Sequence, residues 1–382
     1  MGDHVETLLG IAANPSAPPE VLARLEGLPG AAAVIAGRAD LDPEHARRLH
    51  RDADAYTAVR LAANRHAPTE IREELAGHPD AYVREAVARV GHVAERTLVR
   101  LAVDHERRVR LGVATGAHNT PLTHKALLAD DDFEVRVAVL GRAEVPEELA
   151  RALTADEDVF VRAALAGNPR VAPEVVKQLI EDPSPLVRAT ALVRHDVGGD
   201  VRERVYAELT GGGRDVVTSI QLDNALSGDA SWVRGELMET QVGFLRTPYP
   251  FLRRAVARNP KLPARVASNL LTDADTWVRR FAARHSSTPA DVLVAFTREF
   301  ERVGEVGIGY VRHPAFPASA LPRLAAESEV RLRLLALESP ALPSASVLTL
   351  LADTDPLVAH NASIHPALPL GAMHDLLTAA GR

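Results

Sequence analysis

Phe160-Val161-Arg162-Ala163-Ala164-Leu165-Ala166-Gly167-Asn168-Pro169 is followed, three residues later, by Pro173-Glu174-Val175-Val176-Lys177-Gln178-Leu179-Ile180-Glu181-Asp182. The first segment reads as a short helix stopped by Asn-Pro, because proline cannot continue a helix from within. The second reads as a helix opened by proline, where the missing N–H costs nothing, and by a glutamate that the helix dipole favours. Val161, Ala164, Leu165 and Asn168 follow the i, i+3, i+4, i+7 spacing of one helix face, and Val175, Val176, Leu179 and Ile180 form a stripe on the other helix.

The same two-helix sentence recurs in both directions. A Val-Arg anchor stands at Val59-Arg60, Val83-Arg84, Val109-Arg110, Val135-Arg136, Val161-Arg162 and Val187-Arg188, spaced by 24 residues and then by 26 four times. Prolines open the helix before each anchor helix at Pro19, Pro43, Pro68, Pro146, Pro173, Pro263, Pro289, Pro317 and Pro343. The 382 residues then hold about fourteen units of roughly 26 residues. Helices this short are unstable alone, so neighbouring units must stack and share a core. The fold class is all-α, a solenoid of two-helix repeats.

Acidic residues punctuate the beat. Asp104, Asp130, Asp156 and Asp182 fall 26 apart in the turn between helices. A second acid lies four residues before an anchor arginine, as in Asp80 to Arg84, Asp132 to Arg136, Asp158 to Arg162 and Asp275 to Arg279. That spacing predicts a helix N-cap and an (i, i+4) ion pair within the anchor helix, worth about 0.3–0.5 kcal/mol where exposed. Arg84, Arg110, Arg136, Arg162, Arg188 and Arg279 are the expected structural ladder.

The pattern Asp-x-Asp-x-x-Val-Arg-x-x-x-Ala-x-Asn-Pro-x-x-x-Pro resembles the leucine-rich repeat variant family, bacterial relatives of the HEAT and armadillo helical repeats. The resemblance is strongest from Leu61 to Arg194 and from Arg253 to His285. It implies a right-handed superhelix and says little about function. A relative's cysteine-rich iron–sulfur segment does not carry over, since this chain has no cysteine.

Composition narrows the function classes. Without cysteine there are no disulfides, thiolate zinc sites or cysteine nucleophiles. No Walker A, HExxH, GxSxG or GxGxxG motif occurs, so no catalytic residue, metal site or cofactor is expected. Of the fifteen histidines, His118, His195, His285, His313 and His365 stand in or beside the Asn slot ending the anchor helix. One per repeat, they suit backbone hydrogen bonding better than a metal cluster. The opening Met1-Gly2-Asp3-His4-Val5-Glu6 has no basic or apolar leader character, and no run approaches the roughly 18 apolar residues of a membrane span. A cytoplasmic protein is expected.

Regularity breaks from His195 to about Pro250. Residues 1–194 read as a regular array, 195–250 as stretched repeats with glycine-rich connections (Gly198-Gly199, Gly211-Gly212-Gly213), and 251–382 as a C-terminal array continuous with the first. Anchor helices are expected near Asp215–Asn224 and Phe251–Asn259, and longer helices over Trp232–Leu245 and Val292–Val303. Ten of the fifteen aromatics lie between Trp232 and Phe316, and Arg246 to Arg284 carries nine basic residues against two acids in a chain of net charge -7. Two readings stay open: a thicker core with larger side chains, or a binding surface. On the second, Trp232, Tyr249, Phe251, Arg253, Arg254, Arg258, Trp277, Arg280, Phe281 and Arg284 are the candidate contact residues. Phe251 and Trp277 directly precede their anchors, as do Tyr82 and Phe160, which implies a column along one edge.

The expected function is a non-enzymatic scaffold for a protein or peptide partner. The alternative is a nucleic-acid-binding HEAT-like protein using 232–284. HEAT-like alkylpurine DNA glycosylases set tryptophans and an acid in a basic cleft. Trp232 with Glu236, and Trp277 with Asp273 or Asp275, are the positions that resemble such a site.

Overall fold

The computed structural model describes residues 2–141, 144–211, 221, 222, 224–226, 230–303 and 309–381. Among them every regular element is a helix of five to twelve residues or a short 3-10 turn, and there is no strand. The chain divides into two compact units, one of Thr69–Val256 and one of Met1–Pro68 together with Ala257–Arg382.

Within Thr69–Val256 the anchor helices Ala81–Val90, Arg107–Thr115, Phe133–Leu140, Val159–Gly167 and Pro185–Leu192 stack in succession, each packed on the next. Glu95–Ala102, Pro121–Leu128, Glu147–Leu153 and Pro173–Ile180 are the proline- or glutamate-opened partners between them. Aliphatic side chains on the anchor helices are buried at helical spacing: Val83 and Val87, Val109 and Val113, Val135 and Val139, Val161 and Leu165. Each stabilises by about 1.5–3 kcal/mol, which no single repeat collects without its neighbour.

The second acid of each turn is a helix cap, as its position predicts. Asp80 accepts from the Tyr82 N–H at 2.8 Å, Asp132 from Glu134 at 2.9 Å, Asp158 from Phe160 at 2.7 Å and Asp275 from Val278 at 2.9 Å. The (i, i+4) ion pairs are not formed, because these carboxylates turn onto the backbone ahead of them. The anchor arginine reaches forward instead, to the first acid of the next repeat. Arg84 Nε lies 2.9 Å from Asp104, Arg110 Nε 2.7 Å from Asp130 and Arg162 Nε 2.8 Å from Asp182, with Nη2 on the second oxygen each time. The remaining Nη1 donates to its own turn, Arg84 to the His78 and Pro79 carbonyls and Arg162 to that of Asp156. Burial opposes ionisation of Asp104, but the hydrogen bond and charge of Arg84 together with the Glu106 N–H hold the carboxyl below its ordinary value.

Arg136 and Arg188 keep the turn bonds, to the Asp130 and Asp182 carbonyls at 2.8 and 2.7 Å. Among the described residues neither makes an ion pair. The ladder therefore has a gap between Arg136 and Asp156.

The unit of Met1–Pro68 and Ala257–Arg382 repeats the scheme. Arg333 Nη2 lies 3.0 Å from Asp353, and Arg279 donates to the Asp273 carbonyl at 2.7 Å. Its anchor helices are Gly2–Ala13, Ala31–Ala36, Ala55–Ala63, Thr276–Ala282, Val330–Leu337 and Pro356–Ile364.

The irregular stretch differs from expectation at two places, since Gly199 opens the helix Gly199–Thr210 instead of lying in a connection, and Trp232–Leu245 is broken. Instead of one helix over Trp232–Leu245 there is a 3-10 turn, Ser231–Gly235, and a helix, Met238–Phe244, separated by extended backbone at Glu236. The Gln241 amide holds this break by donating to the Glu236 carbonyl at 2.8 Å. A helix does occupy Pro250–Ala257, and the expected long helix runs from Ala290 to Phe300. Most of Asp215–Asn224 lies outside the described residues, as do Gly212 and Gly213.

A deletion pair separates cap from rung. Asp182→Ala leaves the largely buried Arg162 without its partner and should cost about 3–5 kcal/mol in urea unfolding. Asp80→Ala removes only a cap and should cost about 1 kcal/mol. Equal costs would contradict the forward pairing.

Candidate functional site

The basic and aromatic stretch is shared between the two units. In Thr69–Val256, Trp232 is half-buried and donates its indole N–H to the Val193 carbonyl at 2.8 Å, with Phe244 edge-on at 5.7 Å. Tyr249 packs between Tyr206 at 4.9 Å and Phe251 at 5.8 Å, and burial pushes its hydroxyl pKa up. Arg253 donates to the Thr247 carbonyl at 3.0 Å, and Arg254 is half-buried.

In the other unit Arg258 covers the Phe281 ring at 4.0 Å, and Phe281 itself is buried. Arg280 lies 4.4 Å over the Trp277 ring, which stacks on Phe281. Arg284 lines an open groove of about 1380 Å³ with Tyr310, Arg312, Glu338 and His365. Of the acids that resemble a glycosylase's, Asp275 caps its helix and Glu236 is exposed at the break before Met238.

The column expected along one edge does not include Phe251, which is only 1 % exposed. The exposed positions share a different signature. Tyr56, Tyr82, Phe133, Phe160, Trp277 and Leu357 lie one or two residues after a capping aspartate, at Asp54, Asp80, Asp132, Asp158, Asp275 and Asp355. Their exposure ranges from 39 % at Phe133 to 62 % at Tyr56. The cause is helical geometry. The next buried residue, Thr57, Val83, Val135, Val161, Val278 or Val358, lies on the core stripe, so the large side chain one or two places before it points off the stripe at the helix start. Tyr56 and Phe133 escape a reading based on the residue next to Val-Arg, whereas the distance from the capping aspartate finds them.

In Thr69–Val256 this edge is both aromatic and acidic. Asp131, Asp132, Glu157 and Asp158 line an open notch of about 580 Å³ with Phe133 and Arg136, at the gap in the arginine ladder. The chain's own arginines show what such an edge holds. Arg108 lies 3.6 Å over the Tyr82 ring and 3.9 Å from Glu85, and Arg107 is bound by Asp132 at 2.6 Å and by Glu134. A guanidinium between a ring face and a carboxylate gains from both.

Of the histidines placed in or beside the Asn slot, His285, His313 and His365 bind backbone. A carbonyl can only accept, so Nε2 carries the proton where His285 reaches Leu262 at 2.8 Å, His313 reaches His285 at 3.1 Å and His365 reaches Ser339 at 3.0 Å. Burial lowers the pKa of His365. Among the described residues no group of histidine and acidic side chains could hold a metal ion, and no helix is long and apolar enough to cross a membrane.

Fold and edge together define a class: an all-α helical repeat protein with exposed aromatic side chains at its helix starts. No family model and no curated protein matches the chain. A solved structure described as an engineered protein aligns with 98 % of this chain and 94 % of its own, at 15 % identity and a TM-score of 0.18. A likeness that low carries nothing from that protein to this one.

One buried acid stands apart. Glu301 follows the helix Ala290–Phe300, accepts from the Tyr310 N–H at 2.9 Å, and has its second carboxylate oxygen buried with no hydrogen-bond partner among the described residues. Burial, aided by Glu338, raises its pKa from 4.5 to about 7. A raised carboxyl pKa favours the folded state while the group is protonated, so this contribution is full below about pH 4.5 and is lost as pH rises towards 7. Glu301→Gln keeps an acceptor for Tyr310 and does not ionise. Its stability in urea relative to the parent chain should rise across that window and level off above it; a pH-independent difference would contradict the assignment.

Proposed function

We propose that this chain is a non-enzymatic helical-repeat scaffold, of the leucine-rich repeat variant type and cytoplasmic, that takes up a protein or peptide partner along its aromatic and acidic edge. The observation that carries the reading is the exposed series Tyr82, Phe133 and Phe160, with Phe133 set among the carboxylates Asp131, Asp132, Glu157 and Asp158. Large side chains left in solvent at a fixed place in the repeat contribute nothing to the core, and aromatic anchors supply much of the affinity of protein interfaces. Arg108 on Tyr82 and Arg107 on Asp132 favour a partner segment bearing arginine or lysine. The arginines of 246–284 are less suited to an external anion, because Arg253, Arg258, Arg279 and Arg280 already hold carbonyls or ring faces of the chain.

Replacing Tyr82, Phe133 and Phe160 together by alanine should abolish retention on an immobilised arginine-rich peptide while leaving helicity and Tm nearly unchanged. Undiminished retention by the triple variant would reject this edge. Retention of the parent chain on duplex DNA at about 50 mM salt, falling steeply as salt is added, would favour a nucleic-acid partner instead.

A further inference from the structure

In the unit of Met1–Pro68 and Ala257–Arg382, consecutive repeats are joined by a reach-back hydrogen bond from the residue that ends each anchor helix. Asn64 Nδ2 donates to the Ala36 and Arg38 carbonyls, both at 2.8 Å. Arg38 Nη1 donates to those of Ala12 and Asn14 at 2.9 and 2.6 Å. Asn14 Nδ2 continues the string by donating to Ser363 at 2.9 Å and His365 at 2.8 Å, and His365 in turn reaches Ser339. The bonds of Asn14 copy those of Asn64, atom for atom.

The first repeat therefore seats on the last one as any repeat seats on its predecessor. Helix Gly2–Ala13 packs on Pro356–Ile364, and Pro19–Leu25 meets Leu370–Ala379. His360 donates to the Glu6 carbonyl at 2.8 Å, Ser16 to that of Pro366 at 2.9 Å, and Arg24 meets His374 at 2.9 Å. Gly10 crosses so close to Ser363 that a Cβ there would collide with the serine side chain and lie 3.1 Å from the His360 carbonyl. At the joints from Ala12 to Ala36 and from Arg38 to Asn64 the peptide chain runs directly from one repeat into the next. Between residues 365 and 14 the contact is made by side chains and packing alone.

We infer that this seam is a self-recognition interface, whose two faces fit not only each other but also those of a second copy of this chain. Such an interface is heterologous: the face carrying Gly10 and Asn14 takes the face carrying Ser363 and His365. Closure within one chain wins in dilute solution, since a tethered face is met intramolecularly, at an effective concentration that dilution does not change. Once closure is blocked, the same faces join two chains head to tail.

A pair of complementary variants tests this independently of the partner edge. Gly10→Leu spoils one face and leaves the Ser363 face intact; Ser363→Trp spoils the other and leaves the Gly10 face intact. Light scattering should show each variant alone as a monomer and a 1:1 mixture as a heterodimer, with hydrogen exchange accelerated at residues 2–25 and 356–379 in the separate variants and slowed again on mixing. A mixture that stays monomeric, with both variants helical, overturns the inference. If either variant fails to fold, Asn14→Ala paired with Ser363→Leu provides milder lesions, and the same readings apply.

Discussion

The arginine that follows the anchor valine holds three things at once. Its Nε and Nη2 grip the carboxylate of the next repeat's turn, and its Nη1 takes the orphan carbonyls of the turn before its own helix. The gripped carboxylate is itself folded back on its turn, as Asp182 accepts from the Ser184 N–H at 2.8 Å. One side chain thus satisfies a helix C-terminus, fixes a turn and sets the distance between two repeats. Arginine's planar fork allows this, and a lysine at the same place would reach at most one of the two carboxylate oxygens in a fixed geometry. The short helices depend on it, because each is too brief to hold its own ends.

Around that rung the remaining devices are consistent with each other. Capping aspartates start several of the anchor helices, as at Asp54, Asp80, Asp132, Asp158, Asp275 and Asp355, small residues let successive helices approach, and a terminal Asn, Arg or His bonds backwards to the preceding repeat at joints such as Asn64, Arg38 and His365. Gly112 shows how tight the approach is, since a Cβ there would lie 3.1 Å from the Glu85 carbonyl. The gap between Arg136 and Asp156 lies at the open acidic notch around Phe133, so a break in the ladder coincides with exposed acidic and aromatic groups.

Much of this is legible in the residues. The all-helical class, the two-helix unit and the caps at Asp80, Asp132, Asp158 and Asp275 follow from spacing alone, because helical period and capping are local properties. The ion pairing is not local. Asp80 and Arg84 satisfy the (i, i+4) rule, and nothing in a linear reading says that the same arginine prefers a carboxylate twenty residues on. The aromatics are a related case. Their concentration from Trp232 to Phe316 leaves core and surface both open, and Phe251 and Tyr310 are buried while Tyr56 and Tyr82, in the sparse half, are exposed. Burial depends on which helix face meets a neighbour, and density along the chain does not report that.

The reach-back bonds also give the stack a direction. At the joints made by Asn14, Arg38 and Asn64 the repeat carrying that residue supplies the side-chain N–H groups and the repeat it seats on supplies the carbonyl oxygens. Two like ends brought together would set donor against donor, or oxygen against oxygen, each buried mismatch costing about 1–3 kcal/mol. Mirror-like pairing of these faces is thereby discouraged without any clash of shape. These joints have polarity in the sense that a filament does, a property built from one bonding side chain at each.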